Sequence, residues 1–241
     1  MNKIGFLSNN TLKIIACIAM FIDHLGFMVF PETILLRAIG RIAFPIFDYM
    51  LAEGAIYTKH KVKILLILSL MGIAMQVFMY FFADFTDLSI FIHFSIALIL
   101  IYLFDILVNL VKQKRYVIFS LLTIFYVALL FGLYFLTVET SYFFMNYGFF
   151  GMIIPLCVFI VKKYVPKYSF ILSLLTLSIL LIMYVLYTKA SINYLLQLGV
   201  ILLLFYNGKR GKYKLKYFFY LFYPLHFVLI FGIQMLLTYF K

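Results

Sequence analysis

Asp23 and His24 stand side by side inside an otherwise apolar run, and Lys13 lies on the same run with ten residues between it and the histidine. An imidazole takes up and releases a proton near neutral pH, and a neighbouring carboxylate can orient it. A second group of charges follows at Arg37, Arg41, Asp48 and Glu53. A guanidinium can hold a carboxylate or stabilise a developing negative charge. Near the other end, Tyr223-Pro224-Leu225-His226 sets one more imidazole into the middle of an apolar stretch. These residue types supply a base, its orienting partner and cationic groups, the parts of a reaction that moves a proton while charge builds on a neighbouring atom.

The elements that must carry them are membrane helices. Of the 241 residues, 67% are hydrophobic and only 12% charged, whereas a water-soluble domain is about half apolar and about a quarter charged. Spanning about 30 Å of hydrocarbon takes about 20 helical residues. Nine runs meet that need, at 11–30, 34–57, 63–83, 89–111, 116–137, 142–161, 168–187, 191–206 and 217–240. No repeat, low-complexity segment or long linker interrupts them, so residues 1–241 read as one all-α, multi-pass domain of the cell membrane. Asp23 and His24 break the first apolar run and no small-residue cleavage site follows, so that helix is expected to stay in the mature chain. The formal charge of +12 does not mark a nucleic-acid binder, because the basic residues gather in short loops. With the N-terminus inside, the inner pieces hold Lys3, Lys59, Lys61, Lys63, Lys112, Lys114, Arg115, Lys162, Lys163, Lys167 and the cluster from Lys209 to Lys216. The outer pieces hold Lys189 and Lys241 with Glu32, Asp84, Asp87 and Glu139. That alternation is how membrane proteins fix orientation, and it predicts nine spans with the N-terminus in and the C-terminus out.

Charges within a span cost a few kcal/mol each and commonly face the protein interior. Lys13, Cys17, Met20 and His24 share one helical stripe, with Lys13 about 16 Å from His24 along the axis. Arg37, Arg41, Pro45 and Asp48 form another. The first span runs outward and the second inward, which places Asp23, His24 and Arg41 at similar depth, where Asp23 and Arg41 can neutralise each other. A structural lock between two helices and a catalytic base held beside an ion pair both fit these residues. His93 is expected in the interface, and Gln76, Asn146, Asn193 and Gln197 as hydrogen-bonding glue between helices. Cys17 and Cys157 read as packing residues. The four histidines have no metal-ligand spacing, so no metal is expected.

Four segments resemble a known family. Leu12 through Asp23-His24, Arg37-Ala-Ile-Gly-Arg41 with Phe44-Pro45 and Glu53-Gly54, Asn146-Tyr147-Gly148 with Pro155, and Tyr220 through Tyr223-Pro224-Leu225-His226 are similar to the TraX family of integral membrane proteins, named for N-terminal acetylation of conjugative pilin. The family pattern carries Asp at the position of Asn146, so no acid role is expected there. The resemblance also extends to transmembrane acyltransferases with a basic residue and a histidine on the first helix separated by ten residues, as Lys13 and His24 are. It implies an enzyme that takes an acetyl group from cytoplasmic acetyl-CoA and delivers it to an amine or hydroxyl at the outer face. His24 would be the base, Asp23 its orienting partner and Arg41 the oxyanion donor. Lys13, Arg37, Asp48, Glu53, Tyr223 and His226 would line the substrate and donor sites. The acceptor is left open between a peptide or pilin-like N-terminus and a glycan. Two other classes fit the buried charges: a proton-coupled transporter, and a non-catalytic membrane assembly or immunity protein.

Overall fold

In a computed structural model the described residues are 5–82, 88–139, 147–213 and 215–239. They fold as helices joined by short turns, with no β-sheet among them. The helices are α1 (Asn9–Met28), α2 (Ile34–Gly40), α3 (Ala43–Tyr57), α4 (Lys61–Phe82), α5 (Ile90–Lys112), α6 (Tyr116–Tyr134), α7 (Gly148–Tyr164), α8 (Ser169–Thr188), α9 (Leu196–Leu204) and α10 (Lys216–Tyr239). A wide turn at Phe135–Glu139 extends α6, and a tight one at Ser191–Leu195 leads into α9.

Six of these segments are long and apolar enough to cross a bilayer: Asn9–Met28, Lys61–Phe81, Ile90–Lys112, Tyr116–Val138, Ser169–Thr188 and Tyr217–Tyr239. The chain is thus a multi-pass, all-helical membrane protein. The other three expected spans are helical but shorter. Segment 34–57 is divided at Arg41–Ile42, because Pro45 has no N–H to donate to the Arg41 carbonyl and its ring crowds that carbonyl. The chain closes the gap with tighter bonds, from Arg41 N–H to Ala38 O at 3.3 Å and from Ile42 N–H to Ile39 O at 3.2 Å. Segment 142–161 is described from Tyr147 onward and its helix has 17 residues; Asn146 lies outside the described residues. Segment 191–206 is the shorter apolar stretch Ser191–Leu204.

The chain divides into two compact units, Met1–Met50 with Phe170–Lys241, and Leu51–Ser169. In the first, α1 packs against α2 and α10. Its start is stitched to the loop after α9: Leu7 N–H donates to Phe205 O, Asn207 N–H to Leu7 O and Asn9 N–H to Lys209 O, each at 2.9 Å, and Asn10 N–H to Arg210 O at 3.1 Å. Ser8 completes the cap, its hydroxyl accepting from Thr11 N–H at 3.2 Å and its carbonyl from Leu12 N–H at 3.0 Å. The three orphan donors of the first turn, on Asn9, Asn10 and Thr11, are therefore satisfied within the protein, and Leu12 N–H makes the first intrahelical bond. In the second unit, α5 packs against α4, α6 and α7.

Polar side chains pin the elements of each unit. In the first, Gln197 accepts from the Ser178 hydroxyl at 2.8 Å and donates to its carbonyl at 3.2 Å, and Asn193 donates to Thr188 at 3.1 Å. In the second, Gln76 of α4 accepts from Ser89 N–H at the head of α5 at 2.8 Å. These amides bind helix to helix, as expected of amides in a membrane.

Candidate functional site

The site of the first unit is built on α1, α2 and α10. Two glycines bring α1 and α2 together. A Cβ on Gly26 would lie 2.6 Å from the Cβ of Leu36, and one on Gly40 would collide with Asp23. Small residues at such crossings let backbones approach closely, and here they bring Asp23 under the guanidinium side of α2.

The partner of Asp23 is Arg37, with Nη1 3.3 Å from Oδ1. This corrects the expected Asp23–Arg41 pair: Arg41 lies beyond the end of α2, where Pro45 breaks the helix, and it reaches Asp23 only through longer-range electrostatics. The depth reasoning holds, since Gly40 beside Arg41 packs on Asp23, but it does not choose between Arg41 and Arg37 one turn earlier. The Arg37 guanidinium also lies 4.8 Å over the Phe27 ring, a contact that suits a cation in an apolar setting. Arg41 is in electrostatic range of Tyr184 on α8 as well.

His24 meets His226. Nδ1 of His24 is 3.0 Å from Nε2 of His226, and Nδ1 of His226 faces the Phe222 carbonyl one turn back at 3.2 Å. Aromatic rings cage the pair. Phe222 stacks parallel to His226 at 5.6 Å, Tyr223 meets it edge-on at 5.2 Å, and Phe227 lies 4.7 Å from His24. His226 is 1% exposed, while His24 keeps a moderate accessible surface. Of the two residues, His24 has the larger accessible surface. Arg37 also lies in electrostatic range of His24.

At the other end of the same helix pair is a cavity of about 150 Å³ lined by Asn9, Asn10, Lys13, Arg210, Phe219 and Tyr220. Lys13 Nζ lies 5.6 Å from the centre of the Phe219 ring. Asn10 donates to the Tyr213 carbonyl at 2.5 Å and Asn9 to the Met50 sulfur at 2.8 Å. Because the first-turn N–H groups of α1 are already taken, the positive character of the cavity comes from Lys13 and Arg210. Residues 13 and 24 on α1 face residues 219 and 226 on α10, so the two helices run parallel.

The remaining expected site residues are Asp48, Glu53 and Tyr223. Asp48 on α3 is fully buried, and neither of its carboxylate oxygens has a hydrogen-bond partner among the described residues. Glu53 belongs to the second unit, where Lys162 Nζ holds its Oε1 at 2.6 Å. Tyr223 packs on the imidazole as a buried wall.

Three features were missed in the sequence. Arg210 lines the cavity; its signal was the basic cluster itself, read only as an orientation signal. Asp105 of α5 accepts from Lys61 at 2.7 Å, from the Tyr164 hydroxyl at 2.6 Å and from Lys163; a lone acid in an apolar span between two lysine-rich loops could have pointed to it. His93, expected in the interface, is 1% exposed and lies against Gly151 of α7, which leaves room for the ring only by having no side chain.

Comparison with known proteins adds three findings. The family model described as TraX protein matches residues 8–234. An uncharacterized protein of Rickettsia prowazekii is 38% identical over 77 residues, which is 32% of this chain and 28% of that protein's own length. No solved structure matches the chain.

Proposed function

The chain belongs to the TraX family, and from that premise we propose that it is a membrane acetyltransferase, moving an acetyl group from cytoplasmic acetyl-CoA to an amine or hydroxyl at the outer face. The observation that carries this reading is one pair of helices with an accessible, partnered histidine at one level and a cationic cavity about 16 Å away along α1.

In this reading His24 Nε2 removes a proton from the acceptor as its nitrogen or oxygen attacks the thioester carbonyl. The tetrahedral intermediate carries an oxyanion, and in this reading the Arg41 guanidinium stabilises it. Collapse breaks the carbon–sulfur bond, and the proton held by His24 passes to the departing thiolate. Lys13 and Arg210 hold the phosphates of the donor. A cavity of about 150 Å³ takes only part of such a molecule, so the remainder extends from it.

The parallel run of α1 and α10 supports an odd number of crossings. With the inner position of the lysine-rich loops, it favours nine, the short segments at 34–57, 148–164 and 191–204 being crossings braced by protein neighbours, with the N-terminus inside and the C-terminus outside. A pilin-like N-terminal amine is the acceptor most in keeping with the family.

The test is release of CoA thiol from acetyl-CoA in vesicles carrying the protein, against vesicles without it, with mass spectrometry of envelope polymers and exported peptides for an added acetyl group. His24→Ala should abolish both signals; turnover unchanged in that variant refutes the assignment. A second reading, a proton-coupled carrier, draws on Asp48, since a fully buried acid without a hydrogen-bond partner is also a feature of ion pathways. Substrate flux in reconstituted vesicles without any CoA would reverse the order of the two.

A further inference from the structure

The short contact between the two imidazoles determines where their hydrogens lie. A carbonyl oxygen only accepts, so His226 Nδ1, facing Phe222 O at 3.2 Å, carries its hydrogen there. A neutral imidazole has one N–H, which leaves His226 Nε2 with a lone pair. The group 3.0 Å from that lone pair is His24 Nδ1, which must therefore donate, and the Met20 carbonyl one turn back on α1 is a second acceptor for the same ring. The hydrogen of His24 is then on Nδ1, and Nε2 is its basic nitrogen. Neither ring ion-pairs with a carboxylate among the described residues, so no acid alters this order of donors and acceptors. The aromatic cage fixes it mechanically. Phe222 lies flat on His226 at 8° between planes, while Tyr223 and Phe227 close other sides at 5.2 and 4.3 Å, so the ring cannot turn over without repacking all three.

We propose that His226 is a positioning residue that sets the tautomer of His24 and shares the proton His24 takes up. The inference rests on the acetyltransferase reading above for its chemistry, though not for its geometry. When His24 Nε2 accepts a proton, the His24 cation has N–H on both nitrogens. Its Nδ1 hydrogen can cross the 3.0 Å gap to His226 Nε2. The charge then sits on His226, whose Nδ1–H still points at the Phe222 carbonyl, and His24 is left neutral with its hydrogen on Nε2. Return of the Nδ1 hydrogen as the Nε2 hydrogen leaves restores the starting state, so no proton is gained or lost. The row of Phe222 carbonyl, His226 and His24 thus holds the base in one tautomer, as a buried carboxylate does in a Ser-His-Asp triad, but unlike that carboxylate it also takes the proton, and a neutral partner is cheaper to bury among aromatic rings.

The experiment uses the full chain in lipid nanodiscs with ¹⁵N-labelled histidine. Nitrogen chemical shifts separate ring nitrogens that carry hydrogen from those that do not, and the His24 signals are assigned by their loss in His24→Ala. Wild type should show hydrogen on Nδ1 of both His24 and His226. His226→Phe should release His24 into a mixture of tautomers and lower CoA thiol release from acetyl-CoA by about 100-fold. His226→Gln, whose amide oxygen can stand where Nε2 stood but cannot take up the proton, should keep the His24 tautomer and recover only part of the turnover lost in His226→Phe. Hydrogen on His24 Nε2 in wild type, or an unchanged His24 tautomer in His226→Phe, overturns the proposal; should His226→Phe fail to fold, the wild-type and His226→Gln signatures decide it. The expected tautomers in a protein that never releases CoA would support the relay and sink the acetyltransferase reading, so the two failures are told apart.

Discussion

Adding one methyl group at Gly40 is a severe test of how the site is held. A Cβ there would collide with the Cβ, Cγ and Oδ1 of Asp23 on α1. A Cβ is fixed to its backbone, so no rotation of the Asp23 side chain clears the first of these contacts, and α1 and α2 must move apart. Overpacking of this kind costs about 1–3 kcal/mol. The separation also stretches the Arg37–Asp23 pair, now 3.3 Å, and draws α1, with His24, away from its place beside α10. Gly40→Ala should therefore lower thermal stability in detergent and reduce His24-dependent acetyl transfer more than the loss of folded protein explains. Gly232→Ala is the matched control: it lies on α10 with nothing within 4 Å of the added atom, and it should be neutral or gain up to about 1 kcal/mol from helix propensity. If Gly40→Ala melts and turns over like wild type, the tight α1–α2 crossing does not exist in the membrane. Equal losses in both variants would mean that the effect is generic to helix glycines.

Further outcomes follow from the charged groups. Lys162→Met should destabilise by about 3–5 kcal/mol, the cost of leaving the buried Glu53 carboxylate without its 2.6 Å partner; adding Glu53→Leu should recover most of that, and a double variant no better than the single would count against the pairing. Arg210→Glu should weaken acetyl-CoA binding at least tenfold, about what one charged contact contributes, and should flatten the salt dependence of binding measured by calorimetry; unaltered affinity removes Arg210 from the donor site. In a background without Cys17 and Cys157, a cysteine in place of His60 should react with an impermeant reagent from the inner side only and one in place of Lys189 from the outer side only, and labelling of both from one side would invert or break the nine-span topology.

The helical, membrane-embedded character was legible because lipid exposure imposes a bulk composition that no local detail can hide. Each residue of the candidate pair was legible too, since an imidazole in an apolar span carries its own cost. Their contact was not, because His24 and His226 are separated by 202 positions and nothing in either helix names the other as its neighbour. The Arg37–Asp23 pair was misassigned because depth alone does not choose between two guanidinium groups one turn apart: Gly40, beside Arg41, does pack on Asp23, but the side chain that reaches the carboxylate is that of Arg37. Asp105 escaped notice because its partners, Lys61, Lys163 and Tyr164, come from two other helices, and a buried acid makes sense only once those ends converge. Arg210 was hidden by the opposite effect, an abundance of neighbouring positive charge that explained itself as topology.

Because the histidine pair joins α1 to α10, and the loop after α9 clasps the start of α1, neither contact can form until its second member has been synthesised. The first helix enters the bilayer carrying Asp23, His24 and an end at which Ser8 caps Thr11 and Leu12, while the N–H groups of Asn9 and Asn10 have no partner until residues 209 and 210 emerge. Until then it must be sheltered by lipid headgroups, the insertion machinery or α2 alone. A chain released before α10 would be inserted and yet hold His24 without its imidazole partner.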